Sequence, residues 1–115
     1  MHLANSVTLS LVCLSFWSAP ALAFDPNGWC LPADACMGSM KPISDFGYDD
    51  CEGTCRLGAP VEVVGMNATL FDRTCKGDWG ANTERVLFIE IGGPDSNQTA
   101  FMLTNSGIEE LKRCL

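Results

Sequence analysis

Six cysteines downstream of residue 23 have the clearest potential chemistry: Cys30, Cys36, Cys51, Cys55, Cys75 and Cys114. Their spacings match zinc sites only loosely, because structural zinc favours two to four intervening residues and a second matching pair. The only histidine of the chain is His2, so no histidine can complete a mixed site downstream. An even number of cysteines in a small exported chain is typical of a disulfide framework. We therefore predict three disulfides, no metal and no cofactor.

The connectivity of these disulfides is open, and Cys75–Cys114 is the preferred pair. Cys75 ends a predicted strand, whereas Cys114 lies on the last turn of a predicted helix. Because so short a helix is marginal in isolation, it gains most from a covalent link to the sheet.

An enzymatic role has little support in the residue types present. Without a histidine there is no Ser-His-Asp triad and no Cys-His pair, so a nucleophile would need a lysine or a carboxylate as its base. Two carboxylates can cleave glycosides, but they need a cleft that encloses a sugar. The glycines at 92–93 precede a proline rather than a helix, so they do not form a phosphate loop. We predict that the protein is not an enzyme, with a small carboxylate-dependent hydrolase as the alternative.

An acidic run lies in the middle of the chain and comprises Asp45, Asp49, Asp50 and Glu52. It lacks the alternating ligands, central glycine and distal glutamate of a calcium loop. The run is either a solvated loop or a docking face for a basic protein or peptide, anchored by Tyr48 and Phe46. Trp79 lies between glycines that allow an unusual backbone able to present the ring. The candidate binding residues are Tyr48, Asp49, Asp50 and Trp79.

Two further motifs are short. Met37 and Met40 follow Cys36, and their thioethers suit Cu(I), although methionine more often fills irregular gaps in a core. Asn67-Ala68-Thr69 and Asn97-Gln98-Thr99 are glycosylation sequons, and they matter only in a eukaryotic secretory pathway.

The first residues are typical of a secretion signal. Residues 6–22 contain no charged side chain, and Ala21-Leu22-Ala23 supplies the small residues that signal peptidase reads. The apolar run is shorter than a membrane helix and contains Pro20. We predict that residues 1–23 are removed, that no membrane span follows, and that the protein is secreted or periplasmic.

The net charge of −7 limits the choice of partners. Nucleic acid and anionic lipid require basic patches, so both are improbable partners. A basic protein or a small ligand is compatible with this charge, although many domains are acidic simply for solubility.

The remaining pattern predicts a single α+β domain over residues 24–115. Residues 24–56, rich in proline, glycine and cysteine, predict an irregular arm held by disulfides. Residues 57–115 predict an antiparallel meander of about four strands, at 60–64, 68–75, 84–91 and 98–103, with a loop at 76–83. Alternation in 84–91 places apolar residues on both faces, as in a central strand. Ser106 and Glu109 form a capping box, which predicts a short C-terminal helix.

These expectations together favour a non-catalytic, exported, disulfide-stabilised binding module of the inhibitor, accessory-subunit or ligand-capture kind. A structural cell-envelope protein is a third possibility beside the hydrolase. No motif in the sequence is specific enough to assign a family.

Overall fold

A computed structural model describes residues 22–92 and 99–114 of the protein. These residues form eight antiparallel strands and contain no helix. The strands are β1 (Trp29–Leu31), β2 (Lys41–Pro42), β3 (Gly47–Asp50), β4 (Gly53–Glu62), β5 (Ala68–Gly77), β6 (Gly80–Ile91), β7 (Thr99–Thr104) and β8 (Gly107–Arg113).

The strands lie in one sheet in the order β2-β1-β8-β7-β6-β5-β4-β3. The strands at the two edges, β2 and β3, are consecutive in the chain and are joined by residues 43–46 alone. Since four residues cannot span the width of an open eight-stranded sheet, the sheet curls until its edges meet. The result is a nearly closed, barrel-like sheet.

The core fills the interior of this curled sheet. Alternation along each strand sends one set of side chains inward; on β6, for example, Val86 and Phe88 are buried. Aromatic rings dominate the packing, with Phe24 stacked on Phe88 at 5.7 Å and Phe71 edge-on to Phe88 at 5.6 Å between centroids. The other members of the core are Trp29, Leu31, Ile43, Tyr48, Cys55, Leu57, Ala100, Met102 and Leu111.

The predicted C-terminal helix is wrong, because residues 107–113 form strand β8. Thr104 pairs with Gly107 across a tight turn at residues 105–106, and β8 then runs antiparallel to β7. A helix would have placed Ile108 and Leu111 on one face, whereas the strand buries Leu111 and leaves Ile108 67% exposed. Pairing with a neighbouring strand therefore overrides the local capping signal.

The α+β class, the irregular arm and the count of four strands are also wrong. The segment 24–56 contains β1, β2, β3 and the start of β4, and it contributes buried residues such as Trp29, Ile43 and Tyr48 to the core. Its prolines occupy positions that a sheet tolerates. Pro26 precedes β1, Pro32 follows it, and Pro42 lies on an edge strand.

The later strands were easier to predict. Residues 68–75, 84–91 and 98–103 were predicted as strands and belong to β5, β6 and β7, with residue 98 outside the described residues. The predicted loop at 76–83 is mostly strand, since β5 and β6 continue to a turn at residues 78–79.

Two disulfides cross-link the sheet, and the predicted Cys75–Cys114 pair is wrong. Cys55 bonds Cys75 from directly paired positions on β4 and β5. Cys30 bonds Cys114, because β8 lies beside β1 and the chain passes Cys30 as it leaves β8. Two of the three predicted disulfides are present, and Cys36 and Cys51 are free thiols in this structure. Such cross-links are compatible with an oxidising compartment.

Some sequence predictions lie outside the described residues. They include residues 1–21 of the predicted leader and the sequon at Asn97, whereas Asn67 is exposed in the loop between β4 and β5. Leu22 packs against the core, and the Ala23 N–H donates to Glu62 Oε1 at 2.8 Å. Within the described part of the chain, no helix is long and apolar enough to cross a membrane.

Candidate binding groove at the β2–β3 seam

The two edge strands meet through a tight hairpin. Ser44 and Gly47 exchange both backbone hydrogen bonds, at 3.0 and 3.1 Å. The two residues between them have positive φ angles, 52° at Asp45 and 56° at Phe46, as a type I′ turn requires. A phenylalanine rarely adopts this conformation. Here it is held because the Phe46 N–H donates to Asn27 Oδ1 at 2.8 Å and the ring packs 6.1 Å from that of Phe71.

Pro42 stops this hairpin from extending into a ladder. Continuing the register beyond Ser44 and Gly47 places Pro42 opposite Asp49 as the next hydrogen-bonded pair. Proline has no N–H, so one of the two bonds of that pair cannot form. Within residues 22–92 and 99–114, β2 and β3 form no strand pairing. Beyond the turn, the two edge strands therefore lie beside each other without a hydrogen-bonded ladder.

The backbone of Asp49 faces this open seam. Leu57 N–H donates to the Phe46 carbonyl, so every second residue of β3 from Phe46 onwards directs its backbone at β4. Tyr48 is therefore bonded to β4, whereas the N–H and C=O of Gly47 and Asp49 point away from it. The N–H and C=O of Gly47 are hydrogen-bonded to the backbone of Ser44. Among the described residues, no backbone hydrogen bond joins Asp49 to Pro42, so the N–H and C=O of Asp49 and the Pro42 carbonyl are available to a ligand at the seam.

A groove of about 490 Å³, here called the seam groove, runs along this opening. It is lined by residues of the β1–β2 loop, of the two edge strands and of β4: Met37, Ser39, Met40, Lys41, Pro42, Ser44, Gly47, Tyr48, Asp49, Thr54, Cys55 and Arg56. Its lining therefore combines two thioethers, an aromatic ring, a carboxylate and two cations. This mixture is suited to a polar, extended ligand rather than to an apolar one.

The Lys41 side chain bridges the seam through two ion pairs, one with the β1–β2 loop and one with β3. Its Nζ lies 3.0 Å from Asp34 Oδ2 and 3.4 Å from Asp50 Oδ1. Burial acts to lower the pKa of Lys41, but the two carboxylates outweigh it, so the net shift of the pKa is upward. The pKa of Asp34 is lowered, first by the Met37 N–H that its carboxylate accepts and then by Lys41. Lys41 is thus a fixed cation that joins the β1–β2 loop to β3.

A partly buried polar network lies beneath the groove. The Tyr48 hydroxyl accepts a hydrogen bond from Arg73 Nη1 at 3.1 Å, and Arg73 Nη2 donates to Glu84 Oε1 at 2.6 Å. Burial of Tyr48 raises its pKa against the opposing effect of Arg73. For Glu84, burial acts to raise the pKa, but the Asn105 N–H and Arg73 outweigh it and the net shift is downward. The network fixes Tyr48 as a rigid part of the groove wall.

Arg73 and Glu84 were not identified from the sequence. They are cross-strand partners on β5 and β6, on the inward-facing rows that also hold Phe71 and Val86. The alternation within the two predicted strands contained this signal, because it places both charges on the core side. Among the described residues, the Arg73 Nε is the buried side-chain polar atom that has no hydrogen-bond partner.

A smaller groove of about 170 Å³, here called the tip groove, adjoins the first. Trp79 lies at the β5–β6 turn, 50% exposed, and lines this groove together with Asp50, Glu52 and Lys76. Gly53 and Gly77 are directly paired and allow this turn to approach the β3–β4 turn. A Cβ at Gly77 would overlap the carbonyl oxygen of Glu52 and approach the Trp79 indole within 2.7 Å.

The structure therefore groups the four predicted binding residues around two adjoining grooves. Tyr48 and Asp49 line the seam groove, and Asp50 and Trp79 line the tip groove. Thr54 and Cys55 line both, which makes the two grooves neighbours. Tyr48 differs from the expected exposed anchor, because it is buried and its hydroxyl is bonded to Arg73. Phe46 likewise packs partly against the core.

Comparison with known proteins assigns neither a family nor a function to this chain. No protein-family model, no curated protein and no solved structure matches the chain.

Proposed function

We propose that this chain is an exported, non-catalytic binding module that captures a short extended segment of a basic protein partner in the seam groove. The observation that carries the proposal is the interrupted β2–β3 ladder, which leaves the Asp49 backbone facing a groove of about 490 Å³. A peptide lying in the groove can supply the N–H that Pro42 lacks and so bond the Asp49 carbonyl, as main-chain groups do when a peptide binds at a sheet edge.

The charges around the grooves support a basic partner. Asp45, Asp49 and Glu52 are exposed on or beside β3, and the whole chain has a net charge of −7. The groove also has cations, but Lys41 is engaged by Asp34 and Asp50. Of the remaining lining residues, Arg56 forms no ion pair within the described residues. It offers one position for an acidic or carbonyl group of the ligand.

Two features support a binding role over catalysis. The covalent frame places Cys55 and Cys75 directly behind the grooves, so the groove walls are pre-organised. The carboxylates of Glu84 and Asp34 have lowered pKa values, whereas a general acid that works near neutral pH needs a raised one. The secreted or periplasmic location belongs to the same proposal, and the two disulfides favour it.

The test uses a capped peptide of alternating lysine and threonine and its glutamate–threonine counterpart. Binding to the exported protein is followed by tryptophan fluorescence and by calorimetry at two salt concentrations. We expect the basic peptide to bind and its affinity to fall with salt, because exposed charges are screened. Asp49→Asn is expected to weaken binding about two- to fivefold, as for removal of one exposed ion pair.

Glu110→Gln is the matched control, since it removes one exposed carboxylate from β8, which is separated from β2 by β1, and Glu110 lines neither groove. It changes the net charge by the same amount and is expected to leave the affinity within error. Equal binding of both peptides, or equal effects of Asp49→Asn and Glu110→Gln, would contradict the proposal.

A further inference from the structure

The two free thiols lie together although they are far apart in sequence. Cys36 is in the β1–β2 loop and Cys51 is in the turn between β3 and β4. The two sulfur atoms and the Asp34 carboxylate lie within 4.8 Å of one another. Both cysteines are exposed. A disulfide requires a separation of about 2.05 Å between the sulfurs. The two sulfurs therefore need to approach each other by less than about 3 Å, and Cys36 lies in an exposed loop.

Asp34 organises this pair. Its Oδ1 accepts the backbone N–H groups of Cys36 at 3.1 Å and Met37 at 2.7 Å. Its Oδ2 binds Lys41 at 3.0 Å and lies 4.0 Å from the Cys51 sulfur. One carboxylate therefore sets the conformation of the loop that contains Cys36 and faces the thiol of Cys51.

The geometry points to a third disulfide, Cys36–Cys51, that forms and opens reversibly and, when formed, locks the β1–β2 loop beside the seam groove. The loop contributes Met37, Ser39 and Met40 to that groove. The bond would tie them to the end of β3. The effect on the groove rests on the proposed function, but the bond itself does not.

The chemistry is a two-step exchange with a small-molecule disulfide such as oxidised glutathione. The thiolate of one cysteine attacks the glutathione disulfide, forms a mixed disulfide and releases one glutathione thiol. The thiolate of the other cysteine then attacks its neighbour's sulfur, forms Cys36–Cys51 and releases the second glutathione. The protein loses two protons and two electrons, and the glutathione disulfide is reduced to two thiols.

A metal site at the same residues is disfavoured by the surrounding charges. A cation would have to share Asp34 with the ammonium group of Lys41. The pKa of Cys51 is raised, first by partial desolvation and then by Asp34 and Glu52, and metal ligation requires the thiolate. Disulfide exchange needs the thiolate only transiently.

The proposed bond should also differ from the other two in accessibility. Each of the two observed disulfides has a buried cysteine, Cys30 in one and Cys55 in the other. Both sulfurs of the proposed bond are exposed, so a reductant reaches it first.

The test is thiol alkylation with peptide mass mapping of the exported full chain, equilibrated in glutathione buffers of increasing oxidising strength. We expect two alkylated residues, Cys36 and Cys51, under mildly reducing conditions, and a linked Cys36–Cys51 peptide under oxidising ones. The other two disulfides should remain intact throughout. Cys36→Ser should leave Cys51 as a persistent thiol or a glutathione adduct.

Three outcomes would overturn the inference. One is two free thiols in the most oxidising buffer, another is a separate glutathione adduct on each cysteine, and the third is tight Zn²⁺ binding that keeps both residues reduced. The loop effect has its own readout, a shift of the Asp49 amide resonance between the two redox states in the absence of any peptide. An unchanged Asp49 resonance would refute the proposed effect of the disulfide on the loop, but not the disulfide itself. Failure of the peptide to bind would refute only the proposed function.

Discussion

The two observed disulfides should contribute unequally to stability, and their loop lengths determine by how much. Cys30 and Cys114 are 84 positions apart, whereas Cys55 and Cys75 are 20 apart. In the loop-closure description, a cross-link removes conformational entropy from the unfolded chain. The entropy removed grows with the logarithm of the number of residues in the closed loop. This gives about 4.6 kcal/mol for the long bridge and about 3.3 kcal/mol for the short one. The long bridge should therefore stabilise the fold by about 1.3 kcal/mol more.

A pair of single-bridge variants isolates these two contributions. Both variants also carry Cys36→Ser and Cys51→Ser, so that Cys55→Ala/Cys75→Ala retains only the long bridge and Cys30→Ala/Cys114→Ala retains only the short one. Urea unfolding of each variant is measured with its bridge oxidised and then reduced. Because each comparison uses one sequence, the packing lost on removing buried sulfurs cancels. A larger free-energy difference for the short bridge than for the long one would refute the loop-length argument.

Three further predictions concern the network, the turn glycine and the seam. Glu84→Gln should lower the free energy of unfolding by about 1–3 kcal/mol, because it leaves the partly buried Arg73 guanidinium without its ion-pair partner. Asp72→Asn, at an exposed ion pair, should lower it by less than about 1 kcal/mol. Equal losses in urea unfolding would contradict a stabilising role of the network. The pKa of Glu84 in the folded protein lies below its ordinary value of 4.5, so its contribution to stability should be complete above pH 4.5 and be lost as the pH falls through the folded pKa. In an acid titration of stability, Glu84→Gln should lack this pH-dependent loss. Gly77→Ala should destabilise the fold and displace Trp79, which would appear as a change in tryptophan emission, since the added Cβ overlaps the backbone of Glu52. Pro42→Val supplies an N–H opposite the Asp49 carbonyl, so the new amide at position 42 should be protected from exchange with deuterium. Rapid exchange of that amide would show that proline is not what interrupts the ladder.

The longer strands were predictable from the sequence. Residues 84–91 were predicted as a central strand, and β6 lies between β5 and β7. The expected cover of both faces is not seen, because Val86 and Phe88 are buried in the core whereas Leu87 and Ile89 on the other face are only partly buried. The short strands β1, β2 and β3 were not predictable. A two- to four-residue strand has too few side chains for a period of two to appear, and it exists only because a neighbouring strand supplies its hydrogen bonds.

The C-terminal error shows how tertiary pairing overrides a local pattern. Ser106 and Glu109 fit a capping box, yet Ser106 lies in the turn before β8 and its N–H donates to Thr104 Oγ1 at 3.0 Å. The disulfide error has the same origin. Since Cys114 was assigned to a helix packed on the sheet, its proximity to Cys30 on β1 could not be inferred.

The candidate site was only partly accessible to sequence reasoning. The acidic run and Trp79 were singled out by composition. Asp49, Asp50, Glu52 and Trp79 line the two grooves, whereas Asp45 lies in the hairpin turn and lines neither. The groove itself depends on the register of Ser44 with Gly47, which places Pro42 opposite Asp49. That register is a property of the folded chain and has no signature in the local residue pattern.

The central claim is that an extended ligand hydrogen-bonds to the open backbone of Asp49. The most direct measurement is amide exchange at single-residue resolution, by NMR, with and without the lysine–threonine peptide at saturation. We predict that the Asp49 amide becomes protected on binding, with resonance shifts confined to residues 37–56 and to Trp79. Unchanged protection at Asp49 together with shifts on the outer face of β6 and β7, at Leu87 and Phe101, would contradict the claim.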